Sequence, residues 1–494
     1  MAPALFFFRS TLAYSIIHIL IFQIRSCYSE FTVVLPDSSA LVDEPETGLS
    51  DHARTDPDEQ RAVYAVMGAT GNGWATSIPD VCRGRWHGIE CKPDKDGVFH
   101  VVSLAFGALS DDTAFPTCDP ARSSLSPALL ALPHLRSLFF YRCFPANPQP
   151  IPAFLGRLGA SLRSLVLREN GHVGSVPFEL GNLTSLLVLD LHGNNLTSPI
   201  PSSFQRLTHL QLFDLSYNKL TGPIPQLKFP TLSVLDLSHN SLQGRIPASL
   251  GRCGSLLKMD LSRNHLSGPI PDSISNLKSL NLLDLSHNSL SGPIPNALRG
   301  ITSLRALILT GNAMHSTIVP NDAFKGLKEI TTLVLSDMGL EGLIPESLGE
   351  MPRLRVLHLD GNKFNGSIPQ SFRRLEKLSE LRVDGNRLTG PIPFSKEVVW
   401  RMGEKLRVYN NSGLCFDASS GRYEGIASMS GIGYCNGGME SEVGGDGVSS
   451  RSTKHLSWSS GHDPEFKSNS SGFAHRCCSL RLLVLITGLL LSCL

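Results

Sequence analysis

The chain has almost no net charge: 44 lysines and arginines against 43 aspartates and glutamates leave +1 over 494 residues. That balance argues against an electrostatic reader of nucleic acid, which needs a basic face. Its terminal apolar runs, residues 12–24 and 482–494, fall short of the roughly 20 residues an ordinary membrane-spanning helix needs. There is no glycine-rich phosphate loop and no catalytic Asp-Asn pair, so no kinase is expected. No CxxC motif or histidine pair stands at metal-ligand spacing beside the cysteines, which leaves no zinc motif. Neither an enzyme nor a cofactor is expected.

What the chain does have is repetition. A clean copy, LDLSHNSLSGPIP, runs over residues 283–295, and ten units lie between Leu165 and Pro393. The sixth position is asparagine at 170, 194, 218, 240, 264, 288, 312, 362 and 386, with Met338 once in its place. Most units repeat every 24 residues; the unit from Phe213 takes 22 and that from Leu307 takes 26. The two leucines of Leu283-Asp284-Leu285 point the same way along a short strand, and Asp284 faces out. An asparagine amide has donors and an acceptor with which to close each turn. Glycine and proline in the following Gly-x-Ile-Pro suit a backbone that must bend.

Self-similarity at this period marks a leucine-rich-repeat solenoid, whose units bury one face against their neighbours. The Gly-x-Ile-Pro form resembles the plant-specific class of these repeats. The expected fold is therefore an α/β solenoid, a plant-type leucine-rich-repeat superhelix with disulfide-capped ends.

Around the repeats, residues 1–29 read as a secretory signal: Arg9, then the apolar run, then Cys27 and Ser29 before the cleavage point. An N-terminal cap region is expected over 30–101, the solenoid over 102–411 and a C-terminal cap over 412–435. In an oxidising compartment the cysteines read as cap disulfides. Cys82 is paired with Cys91, Cys118 with Cys143 by elimination, and Cys415 with Cys435; Cys253 reads as a buried hydrophobe. N-glycosylation sequons stand at Asn182, Asn195, Asn365, Asn410 and Asn469. Residues 436–472 are rich in Gly, Ser and mixed charge and read as a disordered stalk. The final apolar stretch would span about 20 Å as a helix. With Ser470, Ser471, Gly472 and a spacer over 473–481, it fits a glycolipid-anchor signal better than a short spanning helix.

The aspartates 190, 214, 236, 260 and 284 form a row of carboxylates. They read as ordinary repeat text making local hydrogen bonds, and His192, His239 and His287 as solvated surface. From the eighth unit the outward positions depart from that text: Val334, His358, Arg382 and Arg407, flanked by Arg355, Asp360 and Asp384. Core packing does not dictate such departures, so His358, Arg355, Asp360, Arg382, Asp384 and Arg407 are candidate partner or ligand contacts.

Several non-repeat blocks carry a closer likeness: VCRGRWHGIEC, HVVSLAFGALSDDTAFPTCDP, LFFYRC, IPAFLGRLG, AFKGLK and KLRVYNNSGLC. Together they resemble the Too Many Mouths family, plant leucine-rich-repeat receptor-like proteins of stomatal patterning. That resemblance implies a kinase-less receptor-like protein on the outer face of the plasma membrane. It implies partnership with ERECTA-type receptor kinases, whose own ectodomains are leucine-rich repeats. It also implies response to secreted cysteine-rich epidermal patterning peptides, restraining stomatal lineage divisions. The alternative is a secreted inhibitor of a fungal wall-degrading enzyme, a family without an apolar tail.

Phosphatidylinositol-specific phospholipase C applied to intact cells should release the protein into the medium. Retention in the membrane, with a C-terminal epitope still present, would establish a short spanning helix instead.

Overall fold

Leucines at alternate positions make each repeat start as a strand with one apolar face. In the computed structural model, which describes residues 54–84, 87–107, 115–312, 314, 318–417 and 432–435, these strands join edge to edge. The signal segment, the stalk, the anchor segment and Asn469 lie outside the described residues. The described residues all belong to one unit, 1–437.

The strands make a single 14-stranded sheet. Its first member, β1 (Ile89–Pro93), runs antiparallel to β2 (Phe99–Phe106); the following neighbours are parallel. Register follows the repeat: Leu104 faces Leu138 of β3 (Ser137–Tyr141), which faces Leu165, then Leu189, Phe213 and Leu235. Two coils thus precede the regular repeats, and the strand Leu406–Arg407 adds one after them. The short and the long unit keep the same pairing, Phe213 with Leu235 and Leu307 with Leu333.

Opposite the sheet, most coils return through one 3₁₀ turn, such as Ala248–Arg252 and Asp272–Asn276; the short unit from Phe213 and the long one from Leu307 do not. The proline of each Ile-Pro pair caps it, with Pro247 and Pro271 in extended conformation. The short return turns are 3₁₀, and among the described residues α-helix occurs at the ends of the solenoid: α1 (Pro57–Ala69) and α2 (Lys396–Met402). Close coil packing explains the small residue in these turns. A Cβ on Gly251 would lie 2.3 Å from the Ser273 carbonyl oxygen.

One apolar core threads the solenoid from Ala62 in α1 to Ile432, built of the strand leucines and the return-turn residues. Three disulfides bind its ends: Cys82–Cys91, Cys118–Cys143 and Cys415–Cys435. Cys253 is free and buried, and burial raises its thiol pKa.

Inside each turn the repeated asparagine is fully engaged. The Asn264 amide donates to the carbonyls of Leu237 (2.9 Å) in the coil before and Leu261 (3.1 Å) in its own. Its oxygen accepts from Leu242 N–H at 3.0 Å. The same bonds recur from Asn194 to Asn386 and again at Asn411. Met338 interrupts the series, in the unit after the long one.

Asn264→Ala should orphan those buried groups, at roughly 1–3 kcal/mol for each one that water cannot reach. A lowered melting temperature and reduced secretion are expected. Hydrogen exchange should show the loss concentrated in coils 235–290, since solenoid units depend on their neighbours.

Candidate recognition surface

The sheet's outer face presents one row from the residue after each first leucine, with flanking rows two residues to either side. Along these rows the chemistry changes in blocks. The first coils are apolar: Ala105, Phe139, Tyr141, Val166, Val188 and Leu212 form a small cluster separate from the main core. The sequence carried a signal for it in LFFY and LVL, outside the LDLS pattern.

The centre is acidic, and it corrects two expectations. Asp190, Asp214, Asp236 and Asp284 face away from the core yet are at most 9% exposed, because the neighbouring coils pack against them. Asp214, Asp236, Asp260 and Asp284 each accept both the backbone N–H and the hydroxyl of the serine two residues on, as expected of local bonding. Asp190 takes only the backbone N–H of His192 in this way. Two cations sit among the carboxylates. Arg168, only 2% exposed, donates to Asp190 at 2.8 Å and lies 3.6 Å from Asp214. Lys258 meets Asp236 at 2.8 Å.

His192 is buried rather than solvated, with Nδ1 2.8 Å from the Ser216 hydroxyl. Burial and the Arg168 charge hold its pKa at about 4, so it is neutral. His239 is half-buried and His287 exposed. Both hold a left-handed backbone (φ 53° and 52°), as do Tyr217 and Arg263. Gly193 and Gly311 occupy the same position in other coils. The Tyr217 and His239 rings stack at 3.9 Å.

Burial and like charges dominate the row. Burial, then Asp214, lifts Asp190 to about 6; burial, then Asp236, does the same to Asp214. Asp260 rises well above the carboxylate range through burial and the flanking Asp236 and Asp284. Asp236 moves the other way: burial raises it, but the Lys258 ammonium and the Ser238 hydrogen bonds together outweigh that.

The C-terminal coils bring together most of the candidate contacts. Glu380, which the sequence did not single out, organises them. Its carboxylate is 2.8 Å from His358 Nε2 and 2.7 Å from Arg382. The His358 hydrogen bond, assisted by the Arg382 charge, holds Glu380 at about 2. Arg407 lies 3.6 Å from Asp384 and bonds the hydroxyl of Tyr409, a second residue sequence reasoning missed. Asp360 accepts from the Ser336 hydroxyl at 2.7 Å. Arg355 is exposed one strand-length before Asp360, and its carbonyl receives the N–H groups of Ser379 and Glu380. Arg382 and Arg407 keep 31% and 38% of their side chains exposed. Arg382 Nε and Asp384 Oδ1 are buried with no hydrogen-bond partner.

The sequons Asn182, Asn195, Asn365 and Asn410 are exposed. Asn195 and Asn365 sit in short strands of lateral sheets rather than in loops, away from the large sheet.

A parallel-stranded solenoid with capped ends and a variable outer face defines a leucine-rich-repeat recognition protein. Residues 212–419 match the leucine-rich repeat region family and residues 160–220 the leucine rich repeat family. Over 407 residues the chain is 71% identical to Protein TOO MANY MOUTHS of Arabidopsis thaliana, covering 81% of this chain and 82% of that one. The chain belongs to the Too Many Mouths family of leucine-rich-repeat receptor-like proteins.

Solved structures agree on the fold. The plant peptide hormone receptor RGFR1 in complex with RGF2 is 30% identical, with a TM-score of 0.54, over 64% of this chain and 51% of that one. PEPR1-AtPEP1 is 28% identical, with a TM-score of 0.55, over 73% and 52%. The chain spans about half the length of these receptor chains.

The raised Asp214 pKa has a testable consequence. The folded chain binds this proton more tightly than the unfolded chain, whose carboxyl titrates near 3.8. The associated stability is fully present below that value and is lost as pH rises through about 6. The melting temperature of the wild type minus that of Asp214→Asn should therefore increase as pH falls from 7.5 to 5. Loss of the Asp214 charge also lowers Asp190 in the variant, which adds to the difference in the same direction.

Proposed function

We propose that the chain is a kinase-less cell-surface receptor-like protein that recognises secreted peptides jointly with a receptor kinase. The similarity across four-fifths of its length to a receptor-like protein of this family carries the reading. The partners it implies are ERECTA-type receptor kinases, and the ligands cysteine-rich epidermal patterning peptides. The output is restraint of stomatal lineage divisions. The RGFR1 structure, a related solenoid, contains the peptide RGF2, which supports a peptide-binding role for such a surface. The protein acts by binding and not by catalysis, held at the outer face of the plasma membrane by its C-terminal segment. Among the described residues no helix is long and apolar enough to cross a membrane.

The contact region we assign is the C-terminal charged block. Arg382 and Arg407 are half-exposed and already pre-oriented by Glu380, Asp384 and Tyr409. Pre-orientation lowers the entropy lost on binding, and arginine is favoured at interface hot spots.

Arg382→Glu with Arg407→Glu should weaken association with a receptor-kinase ectodomain, or with its peptide, at least tenfold in a pull-down or interferometry assay. The fold should persist with a lowered melting temperature, because the new carboxylates face Glu380 and Asp384. Reversals at Asp236 and Asp260 are not a clean surface control, because Asp236 is buried against Lys258 and Asp260 is packed between its neighbours. Arg374→Glu, exposed on the outer turn Gln370–Arg374, should leave binding unchanged. Unchanged binding by the double variant would move the site to the lateral edges or the N-terminal coils.

A further inference from the structure

Three residues far apart in sequence meet at the N-terminal cap. Glu59 comes from α1, His100 from β2, and His134 from the segment leading into β3. Glu59 Oε1 lies 2.8 Å from His100 Nδ1 and 3.0 Å from His134 Nδ1. Their ligand atoms all fall within 4.8 Å of one another, and the two imidazole centroids are 4.0 Å apart.

The surroundings hold this set in place. The second Glu59 oxygen accepts the backbone N–H of Val101 at 2.6 Å. The far nitrogen of His100, Nε2, faces Asp94 Oδ2 at 3.4 Å. A carboxylate on the remote nitrogen of a histidine is the outer-sphere arrangement that fixes ring orientation and raises basicity in metal sites. Glu59 and His100 are largely buried, with 3% and 17% of their side chains exposed, whereas His134 is 50% exposed. A cation here would have three protein ligands and one side open to water.

We propose that Glu59, His100 and His134 form a binding site for a divalent transition-metal ion of the zinc class, which clamps the N-terminal cap onto the first coils. Nitrogen and carboxylate ligands at about 2.0–2.2 Å from tetrahedral zinc stand roughly 3.3 Å from one another. The present oxygen–nitrogen separations need to open by only a few tenths of an ångström. Metal binding replaces the Nδ1 proton of His100, which keeps its Nε2–H toward Asp94. His134 binds through Nδ1 as the Nε2–H tautomer. The site therefore releases protons on loading and weakens as pH falls.

Sequence reasoning did not find this site, because the three ligands share no local spacing. Nothing in it depends on the partner reading above.

The test uses the full chain purified from membranes, treated with chelator and titrated with zinc chloride. One equivalent of tightly retained zinc per chain is expected by elemental analysis after gel filtration, with a raised melting temperature. His134→Ala, at a half-exposed position, should melt like wild type without metal and bind zinc at least tenfold more weakly. Glu59→Gln should also lose the metal; if it does not fold, His100→Gln provides the second variant. Absence of retained zinc in the wild type, or equal binding by His134→Ala, overturns the proposal. A melting temperature that responds to pH but not to zinc would show a proton-operated clasp instead, and would overturn it as well.

Discussion

Each ladder asparagine ties its own turn to the turn before it, and this bond sets the pitch of the whole solenoid. Asn218 donates to Leu191 and Leu215, and Asn240 to Leu215 and Leu237, so every coil inherits its height from its neighbour. A fixed pitch forces chemically equivalent positions into straight rows. Leucines in a row make a continuous core, which is why one apolar cluster runs from Ala62 to Ile432. Aspartates in a row make an electrostatic problem, because strand neighbours stand about 4.8 Å apart. The chain meets it with Arg168, Lys258 and the serine two residues after most of the aspartates. What remains is absorbed as raised carboxyl pKa values at Asp190, Asp214 and Asp260.

The same geometry separates covered polar groups from accessible ones. In the central coils the outward row is spent on local bonding, and its carboxylates are covered. In the C-terminal coils the row carries Arg382 and Arg407, whose side chains stay accessible while Glu380 and Asp384 orient them. The charges of that block are therefore already held in position, as the proposed contact region requires. Beneath them, Arg382 Nε and Asp384 Oδ1 are buried without a hydrogen-bond partner. The N-terminal coils carry a smaller counterpart, Arg142, 61% exposed, paired with Glu169 and lying over the Tyr141 ring.

Most of the fold was legible because it is periodic. Leucine spacing gave the strands and their register, the asparagines gave the ladder, and the cysteines stand paired where the caps close. The short and long units were visible as gaps in the count. Burial was not legible. Asp284 and His192 occupy positions that alternate away from the core, and a single strand would expose them. Only the adjacent coils, which a linear pattern does not display, cover them. Glu380 was missed for the same reason: it precedes its leucine and looks like ordinary surface text until His358 from the previous coil arrives beside it. The Glu59–His100–His134 cluster was beyond reach, since a helix, a strand and a connecting segment meet there through tertiary packing alone.

The long unit from Leu307 shows how much irregularity this plan tolerates. Its inner strand still pairs in register with Thr332–Val334, so the outward face of the large sheet stays continuous. Its flank does not: one lateral sheet ends at Ser289–Leu290 and another begins at Glu341–Leu343, joined to Ile318 by a single bridge. Met338, without an amide, falls in the next turn. The exposed apolar pair Ile318 and Leu343 marks the seam. Extra length is therefore taken up where neither the leucine row nor the outward row passes. The charged coils beyond the seam remain aligned with the acidic ones before it because the inner sheet alone carries the register.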